Sequence, residues 1–366
     1  MKIAVINDWL ITYAGSERVL EQVLEIFPDA DLFSLMDFLP DGKRGFIRNK
    51  KVKTSFLQRF PFAKARYRSF LPFMPSAVES FDVSGYDLVI SVSHAVAKGV
   101  RTRPWQKHIC LCCSPVRYAW DLRLQYLEEA GLHRGIKGLL AHKLLDRVQA
   151  WDLKVTPRVT DFVAISEYIG ERIKNNYSRG YKVIYPPVDV EKFEPVERKE
   201  DFYLAASRMV PYKKMPLIVE AFAGMPDRRL VVIGDGPDLE KARAKAGPNV
   251  ELLGYTYDAV LKNYMQRAKA FVFAAEEDFG IIPVEAQACG TPVIAYGRGG
   301  ALETVADGVT GLFFDEQSVE SIKGAVKRFE SVSGRFSAAE IRKNAERFSV
   351  ERFRREFSGF VSGVLG

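Results

Sequence analysis

Short runs of apolar residues recur along this chain of 366 residues, and stretches with apolar positions at helical spacing separate them. The run 2–7 (KIAVIN) is followed by 17–27, where apolar residues recur every three or four positions. Further predicted strands lie at 31–35, 87–92, 108–112, 162–165, 182–185, 202–206, 230–233, 271–275 and 292–295. Predicted helices between them include 138–155, 215–223, 239–246 and 283–289. Strands that are apolar on both faces and alternate with helices indicate parallel sheets covered by helices, an α/β fold.

Two domains are expected, since domains usually hold about 150 residues. The segment 186–189 (PPVD) and the charged stretch 191–201 interrupt the alternation, which then restarts. We therefore predict a domain at 1–188 and a second at 189–348, with a helix at 349–366 packing back on the first. Both are predicted to be Rossmann-like, doubly wound and facing across a cleft. Ligands of such folds bind at the carboxyl ends of the strands.

Composition predicts an intracellular protein. No apolar run approaches the ~18 residues that span a bilayer. Asp8 interrupts the stretch where a signal peptide needs its apolar core. The four cysteines are too few and too clustered for a disulfide framework, and Cys110, Cys112 and Cys113 are expected to be small apolar core residues.

The basic charge is concentrated in the first half of the chain. Residues 1–190 carry 28 Lys and Arg against 20 Asp and Glu, whereas the remainder carries 25 against 26. Within the first half, 42–78 holds ten Lys and Arg, seven aromatic residues and no acid. This pattern predicts contact with an anionic lipid surface. The alternative is that the aromatic residues belong to the core and the cations to a solvated loop. Nucleic acid is not expected, because no nucleic-acid-binding module is present.

Several common motifs are absent. The turn Gly234-Asp235-Gly236 has Leu239 where a dinucleotide fingerprint needs its third glycine. There is no P-loop and no GxSxG elbow, and no Cys or His spacing matches a zinc site.

The segment 271–297 is the most informative. Its predicted strand ends in the carboxylates 276–278, Phe279-Gly280 turns the chain, and Pro283 suits the first turn of a helix. Free backbone N–H groups at a helix start favour phosphate, and Glu277 and Glu285 are expected to reach the same site. The alternative is a solvated acidic loop that caps a helix.

Two further features suit a phosphorylated ligand. Arg208 and Lys213 follow the predicted strand 202–206, where two cations could hold a diphosphate and stabilise it as a leaving group. Gly15, after the first strand, lets backbone approach a phosphate closely. The alternatives are solvated surface charges and a plain strand–helix turn.

Together these motifs resemble the retaining glycosyltransferases of family 4, which have the GT-B fold. The resemblance rests on Arg208 with Lys213, the turn 234–237 (GDGP) and the E-x7-E pair Glu277 and Glu285. The sequence of 276–314 is especially similar to mannosyltransferases of cell-surface polysaccharide assembly. The segments SVSHAVAKGVRT at 91–102 and SPVRYAWD at 114–121 resemble the same enzymes.

The resemblance implies roles for individual residues. Arg208 and Lys213 would bind the donor diphosphate, Glu285 the ribose hydroxyls, and Glu277 would lie beside the donor sugar. Further donor contacts are implied for Gly15, His94, Gly234, Gly254, Tyr255, Phe279, Gly280 and Ile281, and acceptor-side positions for Tyr118, Trp120 and Asp121. Such enzymes need no metal, so no cofactor is expected.

One position departs from the family pattern. Relatives read C-H-T-P before the R-Y-x-W-D segment, whereas this chain reads Cys112-Cys113-Ser114-Pro115. Cysteine is a weak donor and acceptor, so Cys113 cannot replace the hydrogen bonds of an imidazole. His94 is the candidate to serve instead, and the alternative for it is a structural histidine.

The expected function is transfer of a hexose with retention, mannose from GDP-mannose, onto a lipid-linked glycan or glycolipid. The protein is expected to be cytoplasmic and peripheral on the inner face of the cell membrane. Two alternatives stay open: a nucleotide-sugar epimerase on the same scaffold, and a catalytically degenerate scaffold protein that docks at the membrane.

Overall fold

The computed structural model describes residues 1–120, 123–129, 131–132 and 134–366. They form two compact units, Met1–Pro187 together with Phe353–Gly366, and Val188–Arg352. The boundary predicted from the sequence lay between residues 188 and 189, with the returning segment at 349–366. Each unit is built on one parallel sheet with helices, which confirms the predicted fold class.

The first unit has a sheet of seven strands over the described residues, in the order β3-β2-β1-β4-β5-β6-β7. The strands are β1 (Ile3–Asn7), β2 (Asp31–Ser34), β3 (Lys53–Thr54), β4 (Leu88–Ser93), β5 (Lys107–Cys112), β6 (Asp161–Ala164) and β7 (Lys182–Val183). All neighbouring strands pair in parallel. The central strand β4 is buried along its whole length, because helices cover both faces of the sheet.

The helices of this unit are α1 (Gly15–Ile26), α2 (Ala63–Arg66), α3 (Met74–Glu79), α4 (Arg123–Glu129), α5 (Gly135–Val155) and α6 (Glu167–Tyr177). Short 3₁₀ turns lie at Asp41–Lys43, Gly45–Ile47, Phe56–Arg59, Tyr67–Phe73, Ala97–Gly99 and Thr156–Arg158. The basic segment 42–78 is thus a series of short turns and helices with strand β3 among them, and it packs Leu57, Met74 and Val78 into the core.

The second unit has a sheet of six strands in the order β10-β9-β8-β11-β12-β13, again with parallel neighbours. The strands are β8 (Tyr203–Ala206), β9 (Leu230–Ile233), β10 (Val250–Gly254), β11 (Ala270–Phe273), β12 (Val293–Tyr296) and β13 (Gly311–Phe314). The helices are α7 (Met215–Ala223), α8 (Leu239–Arg243), α9 (Asp258–Arg267), α10 (Ile281–Ala288), α11 (Ala301–Thr304), α12 (Val319–Val332) and α13 (Ala338–Glu346). Short 3₁₀ turns occur at Val190–Lys192, Pro211–Lys213 and Ser333–Arg335.

The last helix, α14 (Val350–Leu365), starts at the end of the second unit and continues as part of the first. Its Phe357 ring lies 6.4 Å from the Phe27 ring, and Arg354 donates a hydrogen bond to the Gln22 side chain (Nε–Oε1 2.8 Å). Phe353 and Phe357 are fully buried. This helix therefore completes the core of the first unit next to α1.

Both sheets reverse their strand order at one place, between β1 and β4 in the first unit and between β8 and β11 in the second. On either side of such a point the chain leaves the sheet in opposite directions, so the loops after the two strands part and leave a crevice. These crevices position the residues described below.

His108 on β5 is fully buried and has a polar partner for each ring nitrogen. Nε2 lies 2.9 Å from the Ser91 hydroxyl and Nδ1 lies 3.2 Å from the Arg158 carbonyl. A neutral ring that donates from Nδ1 and accepts at Nε2 satisfies both contacts. Burial lowers the pKa of His108 to about 4, and the charges of Lys98 and Arg158 act in the same direction.

We expect the free energy of unfolding to fall as the pH drops from about 6.5 towards 4, because the unfolded chain protonates His108 before the folded chain does. His108 alone should change the free energy of unfolding by up to about 1.4 kcal/mol per pH unit in that window. Urea denaturation of wild type and His108→Gln over this pH range measures it. If the two stabilities change in parallel with pH, His108 does not contribute.

Candidate functional site

An ion pair joins the two loops that part in the second unit. Lys213 ends the 3₁₀ turn that follows β8, and Glu277 lies in the loop that follows β11. The Lys213 Nζ and a Glu277 carboxylate oxygen are in direct contact, and the two side chains are only 11% and 17% exposed. The ammonium also lies 5.9 Å from the centre of the Phe273 ring. A carboxylate and a cation are therefore held together, largely out of water, where a doubly wound sheet binds ligands.

Glycines at 299 and 300 set the backbone of the Glu277 loop. Gly300 donates its amide to the Glu277 carbonyl (2.7 Å), and Gly299 has a φ of +64°. A Cβ on Gly299 would lie 2.4 Å from the Glu277 carbonyl oxygen, and one on Gly300 would lie 2.4 Å from the Phe279 Cα. Only glycine lets the two segments approach this closely. This Gly-Gly pair was not among the site residues predicted from the sequence.

Gly234 and Gly236 let the loops after β8 and β9 approach each other closely. Met209 donates its amide to the Asp235 carbonyl (2.8 Å), and Asp238 donates to the Met209 carbonyl (2.9 Å). A Cβ on Gly234 would lie 1.8 Å from the Ser207 carbonyl oxygen. The predicted turn 234–237 therefore acts first as a close backbone contact between neighbouring strand ends.

Arg208 lies between these backbone contacts. The amides of Ser207 and Met209 on either side donate to carbonyls of the β9 segment (3.0 and 2.8 Å), which fixes the Arg208 backbone. Its side chain is exposed at the carboxyl edge of the sheet. Of the two predicted cations, Lys213 is thus held by a carboxylate and Arg208 extends into solvent.

Helix α10 begins beside Glu277. Gly280 caps it with a φ of +88°, and the helix starts at Ile281. The amides of a first turn have no partner within their helix and carry its positive end, so this start suits an anion. Phe279 is buried, with its ring 5.3 Å from the Phe348 ring. Glu285 lies one turn inside α10 and is only 5% exposed.

Gly254 and Tyr255 lie at the carboxyl end of β10. Gly234 donates its amide to the Gly254 carbonyl (2.8 Å), so these two predicted residues are in direct contact. The Tyr255 ring is largely exposed, 6.4 Å from the Tyr257 ring. An exposed aromatic ring at this edge is suited to stacking on a planar group.

In the first unit, Asp8 organises the equivalent edge. It directly follows β1, is fully buried, and accepts four backbone N–H groups, from His94, Ala95, Val96 and Ala97, at 2.6 to 3.0 Å. One carboxylate thereby fixes the loop after β4. In the sequence, Asp8 stands out only as a break in an apolar stretch. A charged residue directly after a buried strand was the signal that could have identified it.

His94 lies beside this carboxylate. Its Nδ1 is 3.1 Å from an Asp8 oxygen, and the Trp9 ring meets it edge-on at 4.6 Å. Gly15 is the first residue of α1, where Glu17 accepts the Ala14 amide (3.0 Å). Burial raises the pKa of the Glu17 carboxyl, while the charge of His94 acts in the opposite direction. Glu17 thus links the start of α1 to the charge of His94.

Cys113 is close to His94 along the sheet edge. It follows β5, and its amide donates to the carbonyl of Ser93 at the end of β4 (2.8 Å). His94 and Cys113 therefore follow neighbouring strand ends. A hydrogen bond to Cys110 and burial raise the pKa of the Cys112 thiol well above its usual value, which makes that thiol a poor nucleophile.

The acceptor-side candidates are not equivalent. Trp120 donates its indole N–H to Asp152 (2.9 Å), which also accepts the Tyr177 hydroxyl (2.7 Å) and pairs with the buried Lys98. The polar group of Trp120 is therefore used inside the fold. Tyr118 is half-buried and packs against two clusters of the core. Asp121 lies outside the described residues.

The basic segment 42–78 divides into two parts. Among its early cations, Arg44 pairs with Asp37, Arg48 with Glu25 and Lys53 with Asp31. The later part, 56–73, exposes both aromatic and basic side chains: Phe56, Phe62 and Phe73 with Arg59, Lys64, Arg66 and Arg68. Three other rings, Phe60, Tyr67 and Phe70, pack against the core. Three of the six early cations are thus paired within the unit, whereas 56–73 combines exposed rings with exposed cations.

Residues 189–348 match the family model described as "Glycosyl transferases group 1". The phosphatidylinositol monomannoside mannosyltransferase of Mycolicibacterium smegmatis, named as GDP-mannose-dependent, is 30% identical over 44% of this chain and 50% of its own. The D-inositol 3-phosphate glycosyltransferase of Mycobacterium sp. (strain KMS) is 31% identical over 37% and 36%. The chain thus spans about half or less of the length of these relatives.

The crystal structure of HepE from Anabaena in complex with UDP shares the fold. It superimposes with a TM-score of 0.71 at 17% identity, over 99% of this chain and 100% of HepE. Almost all of the second unit, residues 189–348, is therefore similar to the group 1 glycosyltransferase family, in a chain with the GT-B fold.

Proposed function

We propose that this chain is a retaining hexosyltransferase that moves mannose from GDP-mannose onto a lipid-linked glycan or glycolipid. The observation that carries the proposal is the Lys213–Glu277 pair at the crevice of a group 1 glycosyltransferase domain, with Arg208 on the same sheet edge. The mannose donor and the lipid acceptor are supported by the name of the M. smegmatis relative.

The chemistry requires the sugar–diphosphate bond to break. Arg208 and Lys213 are proposed to neutralise the charge that develops on the departing diphosphate, helped by the start of α10. The acceptor hydroxyl attacks the anomeric carbon from the face that the diphosphate leaves, and its proton passes to a diphosphate oxygen. Two protein cations supply the charge, so we propose that no metal ion takes part.

Glu277 and Lys213 are proposed to exchange partners when the donor binds. A diphosphate competes with the Glu277 carboxylate for the Lys213 ammonium. Once released, Glu277 is able to accept hydrogen bonds from the hydroxyls of the donor sugar. Glu285 is proposed to hold the ribose, and Tyr255 to lie against the base. In the first unit, the donor contacts of Gly15 and His94 remain predictions.

A lipid-linked acceptor implies that the enzyme works at a membrane. Over the part of the chain that the structure describes, no helix combines the length and apolar character needed to cross a bilayer. We propose a peripheral association, in which the exposed rings and cations of 56–73 contact anionic lipid. Arg44, Arg48 and Lys53 are not part of this proposed contact, because they pair within the unit.

A donor panel tests the function. We expect transfer from GDP-mannose to exceed transfer from UDP-glucose, with bacterial glycolipid extract as acceptor. The product should keep the anomeric configuration of the donor, as read by NMR, and EDTA should leave the rate unchanged. Conversion of a nucleotide sugar without acceptor would instead indicate an epimerase, and no turnover of any donor would indicate a scaffold protein.

Arg208→Ala and Lys213→Ala are each expected to slow transfer at least tenfold, which corresponds to about 1.4 kcal/mol of transition-state free energy. Each variant loses a contact that strengthens as the diphosphate leaves. Arg229→Ala is a matched control, because Arg229 precedes β9 at the opposite edge and pairs with Glu251. Initial rates with saturating donor measure the effect. A wild-type rate in either site variant would contradict the assigned role.

The two glutamates are expected to differ. Glu285→Gln should weaken GDP binding, whereas Glu277→Ala should impair turnover and leave GDP affinity unchanged or tighter, since Lys213 loses its competing carboxylate. Calorimetric titration with GDP, set beside turnover of GDP-mannose, separates the two effects. Weaker GDP binding by Glu277→Ala would show that Glu277 does not compete with the nucleotide for Lys213.

A further inference from the structure

The first turns of α5 expose large aliphatic side chains. Ile136, Leu139 and Leu140 are 80%, 59% and 61% exposed. Single exposed leucines are common on protein surfaces, but three within five residues of one helix form a patch. Such a patch on an otherwise ordinary surface indicates a partner.

These side chains share one face of a helix that is fixed on its other face. At 100° per residue, Ile136, Leu139 and Leu140 lie within about 100° of one another. Lys143 and Arg147 continue the same stripe towards the helix end. The opposite face is buried through Gly138, Leu145, Val148, Asp152 and Val155. Helix α5 therefore already packs against its own unit, and the exposed face is a separate surface.

Along the first turns of α5 the charge has one sign, whereas α4 carries an exposed acid at Glu128. Residues 130–145 contain no Asp or Glu, and Arg134, Lys137 and Lys143 are exposed there. The first acid after them, Asp146, pairs with Arg123 (2.7 Å). Aliphatic side chains surrounded by cations match the boundary of an anionic bilayer, where the apolar groups enter and the cations meet headgroups.

The start of α4 extends the patch. Arg123 donates to the His142 carbonyl (2.8 Å) as well as to Asp146, which ties the first residue of α4 to α5. The next residue, Leu124, is 69% exposed. We define the α5 surface as Leu124, Ile136, Leu139 and Leu140 with Arg134, Lys137 and Lys143.

We propose that the α5 surface seats the first unit on an anionic lipid bilayer, in addition to the segment 56–73. A second copy of this chain is the weaker match, because a symmetric contact would bring the same cations against one another. The inference deepens the proposed function, since it names the membrane contact of an enzyme whose acceptor is lipid-linked.

Vesicle binding by the full chain tests the proposal. The probes are vesicles of phosphatidylcholine alone and of phosphatidylcholine mixed with phosphatidylglycerol, and binding is read by co-sedimentation. The triple variant Ile136→Ser, Leu139→Ser, Leu140→Ser should bind the anionic vesicles roughly tenfold or more weakly than wild type, because three aliphatic side chains no longer enter the bilayer. Lys137→Glu with Lys143→Glu should weaken the binding as well and reduce its dependence on salt.

A matched control uses exposed aliphatic residues of the second unit. Leu302→Ser with Val309→Ser removes side chains that are also exposed, and it should bind vesicles like wild type. Urea midpoints of all variants should equal that of wild type, since every changed side chain is exposed.

Three results would overturn the proposal: wild type that does not bind anionic vesicles at physiological salt, a triple variant that binds like wild type, or a wild-type dimer that the triple variant dissociates. If Phe62→Ser with Phe73→Ser abolishes binding while the triple variant retains it, segment 56–73 is the only contact. Failure of the proposed function is distinguishable, because transfer to a detergent-solubilised acceptor needs no bilayer and depends on Arg208 and Lys213.

Discussion

The reversal of strand order is the constraint on which the functional features of both units depend. Where the order reverses, two neighbouring loops leave the sheet in opposite directions and no regular backbone pairing holds them. In each unit a carboxylate bridges the gap. Asp8 binds the backbone amides of 94–97 in the first unit, and Glu277 binds Lys213 in the second. The two contacts differ in how readily they can be broken. Backbone amides are fixed by the chain and stay bound to the carboxylate, whereas a side-chain cation can exchange the carboxylate for a ligand.

Much of the fold follows from local pattern. Helix Met215–Ala223 and strand Leu230–Ile233 have the bounds that apolar spacing predicted, because both pack a strongly apolar face into the core. Strand Val250–Gly254 was not predicted. It lies at the edge of its sheet, is only half-buried, and has the charged Glu251 as its second residue, so its apolar run is short. Edge strands depend on the neighbour that pairs with them more than on their own residues.

The candidate site was predictable in part. Arg208, Lys213, Glu277 and Gly280 follow strands, and their position at a carboxyl edge is a consequence of parallel topology. What the sequence could not supply is which charges pair. Arg44 meets Asp37 and Arg48 meets Glu25 through contacts that only the tertiary fold creates, so a count of cations overstated the free charge of 42–78. The exposed leucines of α5 were overlooked for the same reason. An apolar side chain at helical spacing is expected to lie in the core until the position of the helix is known.

The path of α14 has a consequence for synthesis. The first unit is completed by Phe353 and Phe357, yet the whole of Val188–Arg352 is made before them. At the usual rates of translation, the first unit waits roughly 10 to 30 s on the ribosome without its last helix. During that interval the groove beside α1 that α14 later fills is open, with Phe27 at its wall. A nascent chain with an uncovered apolar groove is the kind of species that chaperones bind, so this protein's yield in cells should depend on them more than its finished structure suggests.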